Sequence, residues 1–401
     1  IKLLPGHYRE SLVVEKDVTI AAAGEPGEAV LETSLVLKAG SVRVQGILLQ
    51  QATQEPGGPA PVVQVGAGHA LLEDCEVVAS TGTALSAEGS GTQLAMTRCH
   101  VHGPAEVALD LQRGASAILA QCVLEGFERV GVRADQAASV AMSQSTVQRA
   151  EGVGLCLKAQ AQAQLEDCEL LDCRAGGLEV ETEGRASLQR CRVAGSSYAG
   201  VLALDKGQAT LEACELSDHE AAGIHVAEGA IASLQNCHVH RNPGFGVSTI
   251  GQGLCTLLAC EVDANSHPGV FVQQRGTVQV KDSRLHDGGS LGVSCAALGR
   301  GVLEGCEIYG NAQSGAKVER GGSLLLVRCV LRDGQDTGML LFEDADVTLE
   351  ECVVHRNARG GILLAKDASD PVLRGGNQIE DDLLRVNPQG GVVKLAPVKR
   401  H

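Results

Sequence analysis

From about residue 72 to residue 361 the chain repeats a single hydrophobic pattern at a fixed interval. An aliphatic residue or methionine (Leu72, Met96, Leu165, Leu234, Val280, Leu349) stands three residues before a cysteine or serine. Another aliphatic residue (Val77, Leu124, Val147, Val239, Ile308, Val354) stands two residues after it. The slot itself holds Cys75, Cys99, Cys122, Cys168, Cys191, Cys214, Cys237, Cys260, Cys306, Cys329 and Cys352, with Ser145 and Ser283 in the two remaining places. After a first step of 24 residues, every step is 23. A glycine ladder runs nine residues behind, through Gly131, Gly154, Gly177, Gly200, Gly223, Gly246, Gly269, Gly292, Gly315, Gly338 and Gly361.

Within each repeat the apolar positions alternate with a period of two, the signature of short half-buried strands. No stretch within the repeat has helical periodicity, so helix-containing solenoids are excluded. Each repeat is expected to form strand, turn, strand, turn, with the ladder glycine at a fixed bend. Stacked coils bring the same slot of successive repeats about 4.8 Å apart. The 12 steps from Cys75 to Cys352 therefore span roughly 58 Å of regular solenoid, and the cysteine ladder is expected to be a stack of small buried side chains.

The opening segment Leu4-Pro5-Gly6-His7-Tyr8-Arg9-Glu10-Ser11-Leu12-Val13-Val14, with Val18-Thr19-Ile20, resembles the first coil of pectate-lyase-like right-handed β-helices. Later repeats such as Asn236-Cys237-His238-Val239-His240-Arg241-Asn242-Pro243-Gly244-Phe245-Gly246-Val247 resemble those of NosD-type periplasmic proteins and F-box β-helix proteins. The resemblance implies an all-β, single-stranded right-handed parallel β-helix with about 23 residues per coil. One domain over 1–401 is expected: N-terminal coils over 1–71, regular repeats over 72–361, and C-terminal coils and tail over 362–401. Such proteins include polysaccharide lyases, hydrolases and esterases as well as non-catalytic recognition modules. The paired-Asp hydrolase motif, the aspartate cluster of calcium-dependent lyases and the pectin-esterase segments are absent, so no catalytic residue is assigned.

Composition narrows the chemistry. Trp is absent and only 3 Tyr and 4 Phe occur, scattered along the sequence. The core is therefore expected to be Val, Leu, Ile, Ala and Cys, and a sugar-stacking platform is not expected. A net charge of −16 disfavours nucleic acid, anionic membranes and polyuronates as partners. No apolar run of about 18 residues suits a membrane helix. The odd count of 15 cysteines and the lack of an Asn-x-Ser/Thr sequon point to a reducing, cytoplasmic setting. The chain opens inside a strand, Ile1-Lys2-Leu3-Leu4, as expected for a piece of a larger polypeptide.

In strands that begin at an inward cysteine, the residues one and three positions later point outward. The first stripe reads Glu169, Arg192, Glu215, His238, Glu261, Arg284 and Glu307, with alternating signs. The second reads His240, Asp263, His286, Tyr309, Arg332 and His355. Together, His238, His240, Glu261, Asp263, Arg284, His286, Glu307, Tyr309, Arg332 and His355 are the densest titratable cluster and the candidate binding surface. They are expected to form a solvent-facing sheet whose side chains stand parallel, too divergent for a metal; no metal or cofactor is assigned. Asn242, Asn265, Asn311 and Asn357 are expected to bond their own turns in left-handed conformation. His219-Glu220-Ala221-Ala222-Gly223 lacks the second His of a zinc-protease motif, and Cys156 is the candidate reactive thiol. The function expected is a non-catalytic scaffold binding a protein partner or other domains of the same polypeptide. The alternative is a carbohydrate-binding or carbohydrate-active β-helix.

Overall fold

A computed structural model describes residues 1–51, 60–387 and 391–394. Residues 395–401 of the expected tail lie outside the described residues. The fold divides into two compact units, Ile1–Ser197 and Tyr198–His401, and the described residues form strands and turns with no helix.

Each regular coil carries three strands where the hydrophobic pattern indicated two. One coil of the second unit comprises Ile231–Gln235, His238–His240 and Phe245–Thr249. The matching coil of the first unit comprises Ser116–Ala120, Val123–Glu125 and Val130–Ala134. These positions are called sheets A, B and C below. Pairing is parallel and in register: Leu234 meets Leu257 in sheet A, and His238 meets Glu261 in sheet B. The hydrophobic pattern does not mark the third strand because sheet C starts at or beside the ladder glycine, where a bend is expected, as in Phe245-Gly246-Val247-Ser248-Thr249.

The corners lie elsewhere than expected. The residue just before the cysteine slot is left-handed, as at Asn236 (φ 53°), Ala259 (φ 52°) and Asp282 (φ 50°). A second left-handed corner falls four residues after the slot, at Arg241, Ala264 and Arg356. The ladder glycines lie at the start of sheet C, inside the strand up to Gly246 and just before it from Gly269 onward, and close approach, not a bend, excludes side chains there. A Cβ on Gly223 would meet Val239 Cγ1 at 2.5 Å and the Gly246 carbonyl at 2.8 Å. Repacking that contact would require the coil to expand.

The asparagines are likewise not left-handed; the residue before them is. Each side chain enters the stack and bonds backbone of the coil below. Asn265 Oδ1 accepts from the Asn242 backbone N–H at 3.0 Å and from Asn242 Nδ2 at 2.8 Å, while Asn265 Nδ2 donates to the Val239 carbonyl at 3.2 Å. Asn242, Asn265 and Asn311 are almost wholly buried. A buried amide replaces the hydrogen bonds that a tight corner denies the backbone.

The core is aliphatic, with Leu72, Leu94, Leu234 and Leu257 fully enclosed. All fifteen cysteines are free and buried. Each ladder thiol points back at carbonyls: Cys237 Sγ lies 3.3 Å from the Gln235 oxygen and 3.5 Å from the Leu211 oxygen. Burial pushes Cys173 up to about 11 and Cys295 up to about 12, which suits structural thiols.

Candidate functional site

The outer face of sheet B in the second unit holds all ten candidate residues and engages nine of them in ion pairs or ring stacks. The strands His238–His240, Glu261–Asp263, Arg284–His286, Glu307–Tyr309 and Val330–Arg332 stack in register. Side chains do not stand straight up from the sheet; they lean diagonally towards the neighbouring coil. His240 Nε2 reaches Glu215 at 3.0 Å, His238 Nε2 reaches Asp263 at 2.5 Å, and His286 Nε2 reaches Glu261 at 3.0 Å. Arg332 Nη2 donates to Glu307 at 2.9 Å. Opposite charges one coil apart select this lean, because each ring nitrogen then finds an acceptor.

Ring stacking links those pairs. The His238 and His240 rings lie 3.9 Å apart and nearly parallel, and the His286 and Tyr309 rings lie 4.5 Å apart. The Arg332 guanidinium covers Tyr309 at 4.3 Å, a cation–π contact. Arg332 also grips Asp333, which Arg356 holds from above at 2.7 Å by two nitrogens. Those two guanidiniums hold the Asp333 carboxyl well below the usual range. The His286 hydrogen bond likewise lowers Glu261. Arg284 lies 3.4 Å from Glu261. His355 ends the stripe, in register with Arg332, and its ring joins no hydrogen bond or ion pair among the described residues.

His240 departs from the expected solvent-facing position, being only 5% exposed. The His238 ring covers it, and the Arg241 Nη1 donates to its Nδ1 at 2.9 Å. Its Nδ1 is thus the lone-pair nitrogen, and its Nε2–H donates to Glu215. Burial, followed by the neighbouring His238 charge, pushes the His240 pKa below its ordinary value. Beside the stripe runs a shallow groove of about 460 Å³ lined in part by His238, Glu261, Arg284 and Glu307.

The same string, Cys-His-Val-His, occurs once more, at Cys99-His100-Val101-His102 in the first unit, and sequence reasoning passed over it. There His102 Nε2 lies 2.9 Å from Glu76 Oε1 and His100 Nε2 lies 2.9 Å from Glu125 Oε1, with the two rings stacked at 4.4 Å. Although burial raises the Glu125 carboxyl, hydrogen bonds from Gln148, His100 and Arg149 bring it down to about 2.

Two further expectations are corrected. Tyr198, Phe245 and Phe271 are not scattered: they gather at sheet C of the second unit, where the two Phe rings stack at 4.6 Å and Tyr198, in the turn just before the strand Ala199–Ala203, stands edge-on to His225 at 6.5 Å. With His225, Ser248 and Gln273 they line a hollow of about 210 Å³. Cys156 is only 4% exposed, and burial followed by the Glu179 charge pushes its thiol up to about 12. A reactive thiol needs the opposite. Glu179 itself is raised to about 7, first by burial and then by Glu181.

The sequence profile described as "Right handed beta helix region" matches residues 45–174, 153–297 and 222–380. The chain belongs to this family. No curated protein sequence matches the β-helix. Among solved structures it is similar to the A-module of the mannuronan C-5 epimerase AlgE4 of Azotobacter vinelandii, at 12% identity and TM-score 0.35 over 94% of this chain and 88% of that one. It is similar to the periplasmic alginate epimerase AlgG at 10% identity and TM-score 0.40, over 93% of this chain and 78% of that one. A chain of the Vag8–C1 inhibitor complex gives 13% identity and TM-score 0.47 over 94% and 99%. Identities this low carry no substrate or partner across to the β-helix.

Proposed function

We propose that this β-helix is a non-catalytic recognition scaffold that binds a protein partner through the sheet B stripe of its second unit. The observation that carries the reading is the succession of ring stacks and ion pairs from Glu215 to Arg356. Such a succession holds long polar side chains in place before any partner arrives. Ordering each of these side chains during binding would otherwise cost about 0.5–1.5 kcal/mol. A rigid surface with alternating charge selects partners by complementarity more than by apolar area.

The test is site-specific photocrosslinking in the cell of origin. A photoreactive residue replaces Arg284 on the stripe or, as control, Arg185 on sheet A of the first unit. The reading expects a discrete protein adduct at Arg284 that is lost on Glu261→Lys and absent at Arg185. Equal labelling at both positions would refute it.

The aromatic hollow favours a second reading, a glycan ligand, because Tyr198 is 46% exposed beside the stacked Phe pair and polar Ser248 and Gln273. Sugar faces stack on such rings. Titration with neutral oligosaccharides tests this: binding that Tyr198→Ala abolishes favours the glycan, and no binding across the panel excludes it.

A further inference from the structure

In the first unit Glu76, His100 and His102 bring one carboxylate oxygen and one nitrogen of each ring within 4.8 Å of one another. Two imidazoles with one carboxylate suit a borderline transition-metal cation rather than Mg²⁺ or Ca²⁺, which require oxygen donors. The geometry points to a divalent metal site of the Zn²⁺ class at Glu76, His100 and His102, open to solvent on its outer side.

Two features beyond the donor set support this assignment. Glu125, on the next coil, accepts from His100 Nε2 and is itself gripped by Gln148 and Arg149. A carboxylate that fixes a ligand imidazole in this way sets the ring's tautomer and leaves its other nitrogen with the lone pair. The side chains of Glu76, His100 and His102 also keep 46%, 43% and 29% of their surface exposed, so a cation can enter and retain water.

The second Cys-His-Val-His string supplies an internal contrast. Glu215, His238, His240 and Asp263 repeat the four positions of Glu76, His100, His102 and Glu125. At that place, however, the residue after the second His is Arg241, whose guanidinium bonds His240 Nδ1. A fixed cation there opposes a divalent ion. The corresponding residue in the first unit is Gly103, with φ of 121°, where a Cβ would fall 2.1 Å from the Ala79 carbonyl. No guanidinium can be placed beside His102 from that position.

The test uses the full chain with Zn²⁺ as the probe, measured by calorimetry and by metal content after dialysis. One zinc per chain is expected, lost in His100→Ala/His102→Ala and retained in His238→Ala/His240→Ala. Glu76→Gln, a change at a partly exposed residue, and Glu125→Gln should each keep the fold and weaken binding by about 10–100-fold. Co²⁺ substitution should give ligand-field bands without a thiolate charge-transfer band, separating this site from the buried cysteines. Zinc-free wild-type protein, affinity unchanged by Glu76→Gln and by the double His change, or a thiolate–cobalt band would each overturn the assignment.

Discussion

The substitution Asn265→Asp tests the asparagine ladder because it changes one donor and almost no volume. Asn265 is 1% exposed, and its Nδ2 donates to the Val239 carbonyl while its Oδ1 receives two N–H groups of Asn242. While the introduced carboxyl is a neutral acid, its hydroxyl can donate to the Val239 carbonyl and the ladder stays whole. Once ionised, it buries a charge and sets an anionic oxygen against that carbonyl. Burial therefore raises the pKa of the introduced group in the folded state. A raised folded pKa means stability is fully present below the unfolded value, about 3.9, and is lost as pH rises. Between that value and neutrality lie about 3 pH units at about 1.36 kcal/mol each, a ceiling of about 4 kcal/mol. The two Asn242 donors favour the anion and reduce the cost to about 2–4 kcal/mol. The assay is urea unfolding of variant and wild type from about pH 4 to about pH 8, taking the difference at each pH so that shared acid effects cancel. The difference should be small at the acid end and grow with pH. A difference that is flat with pH, or below about 0.5 kcal/mol at neutrality, would refute the buried ladder.

Three other outcomes follow from the same geometry. With all fifteen cysteines free and buried, a thiol reagent should label almost none of them in the native chain and nearly all after denaturation without reductant; extensive native labelling contradicts the ladder. Leu234→Ala should cost about 2–5 kcal/mol, the usual range for a large-to-small change in a packed core, because Leu234 is fully enclosed; denaturation midpoints check it, and a surface-like change near zero would mean that the residue faces solvent. His240, whose folded pKa is lowered by burial, contributes stability that is present above the ordinary His value of about 6.5 and lost as pH falls below it. His240→Gln should flatten that acid limb in stability-versus-pH profiles, and an unchanged limb would show that His240 does not titrate between the two states.

The coil length, the inward cysteines and the membership of the polar stripe were legible because each depends only on residue number modulo the repeat. A period of two decides which face a strand residue occupies, and a 23-residue step decides which residues become neighbours. That reasoning placed Glu261 over His238 and Arg284 over Glu261, as the pairing register has it. It also held enough signal to find His100 and His102, since Cys99-His100-Val101-His102 duplicates Cys237-His238-Val239-His240. The first pair stands out less because the stripe slots around it hold Val123, Thr146 and Gln148, where the second-unit stripe is titratable at almost every slot.

What depended on tertiary structure is whatever needs a direction or a depth and not only a face. A stripe position does not say which way a side chain leans; the acid on the adjoining coil decides that, as in His240 to Glu215 and His238 to Asp263. Nor does it say that one ring buries another, which is why His240 is covered while His238 is not. Tyr198, Phe245 and Phe271 stand 7, 8 and 11 residues after Cys191, Cys237 and Cys260. They share no repeat slot, so a search by register could not join them, and only the packing of sheet C and its loops does so. The ladder glycines and asparagines follow the same division. Their spacing was plain from residue numbers, but their cause, a carbonyl too close for a Cβ and a backbone short of partners, arises only once one coil lies against the next.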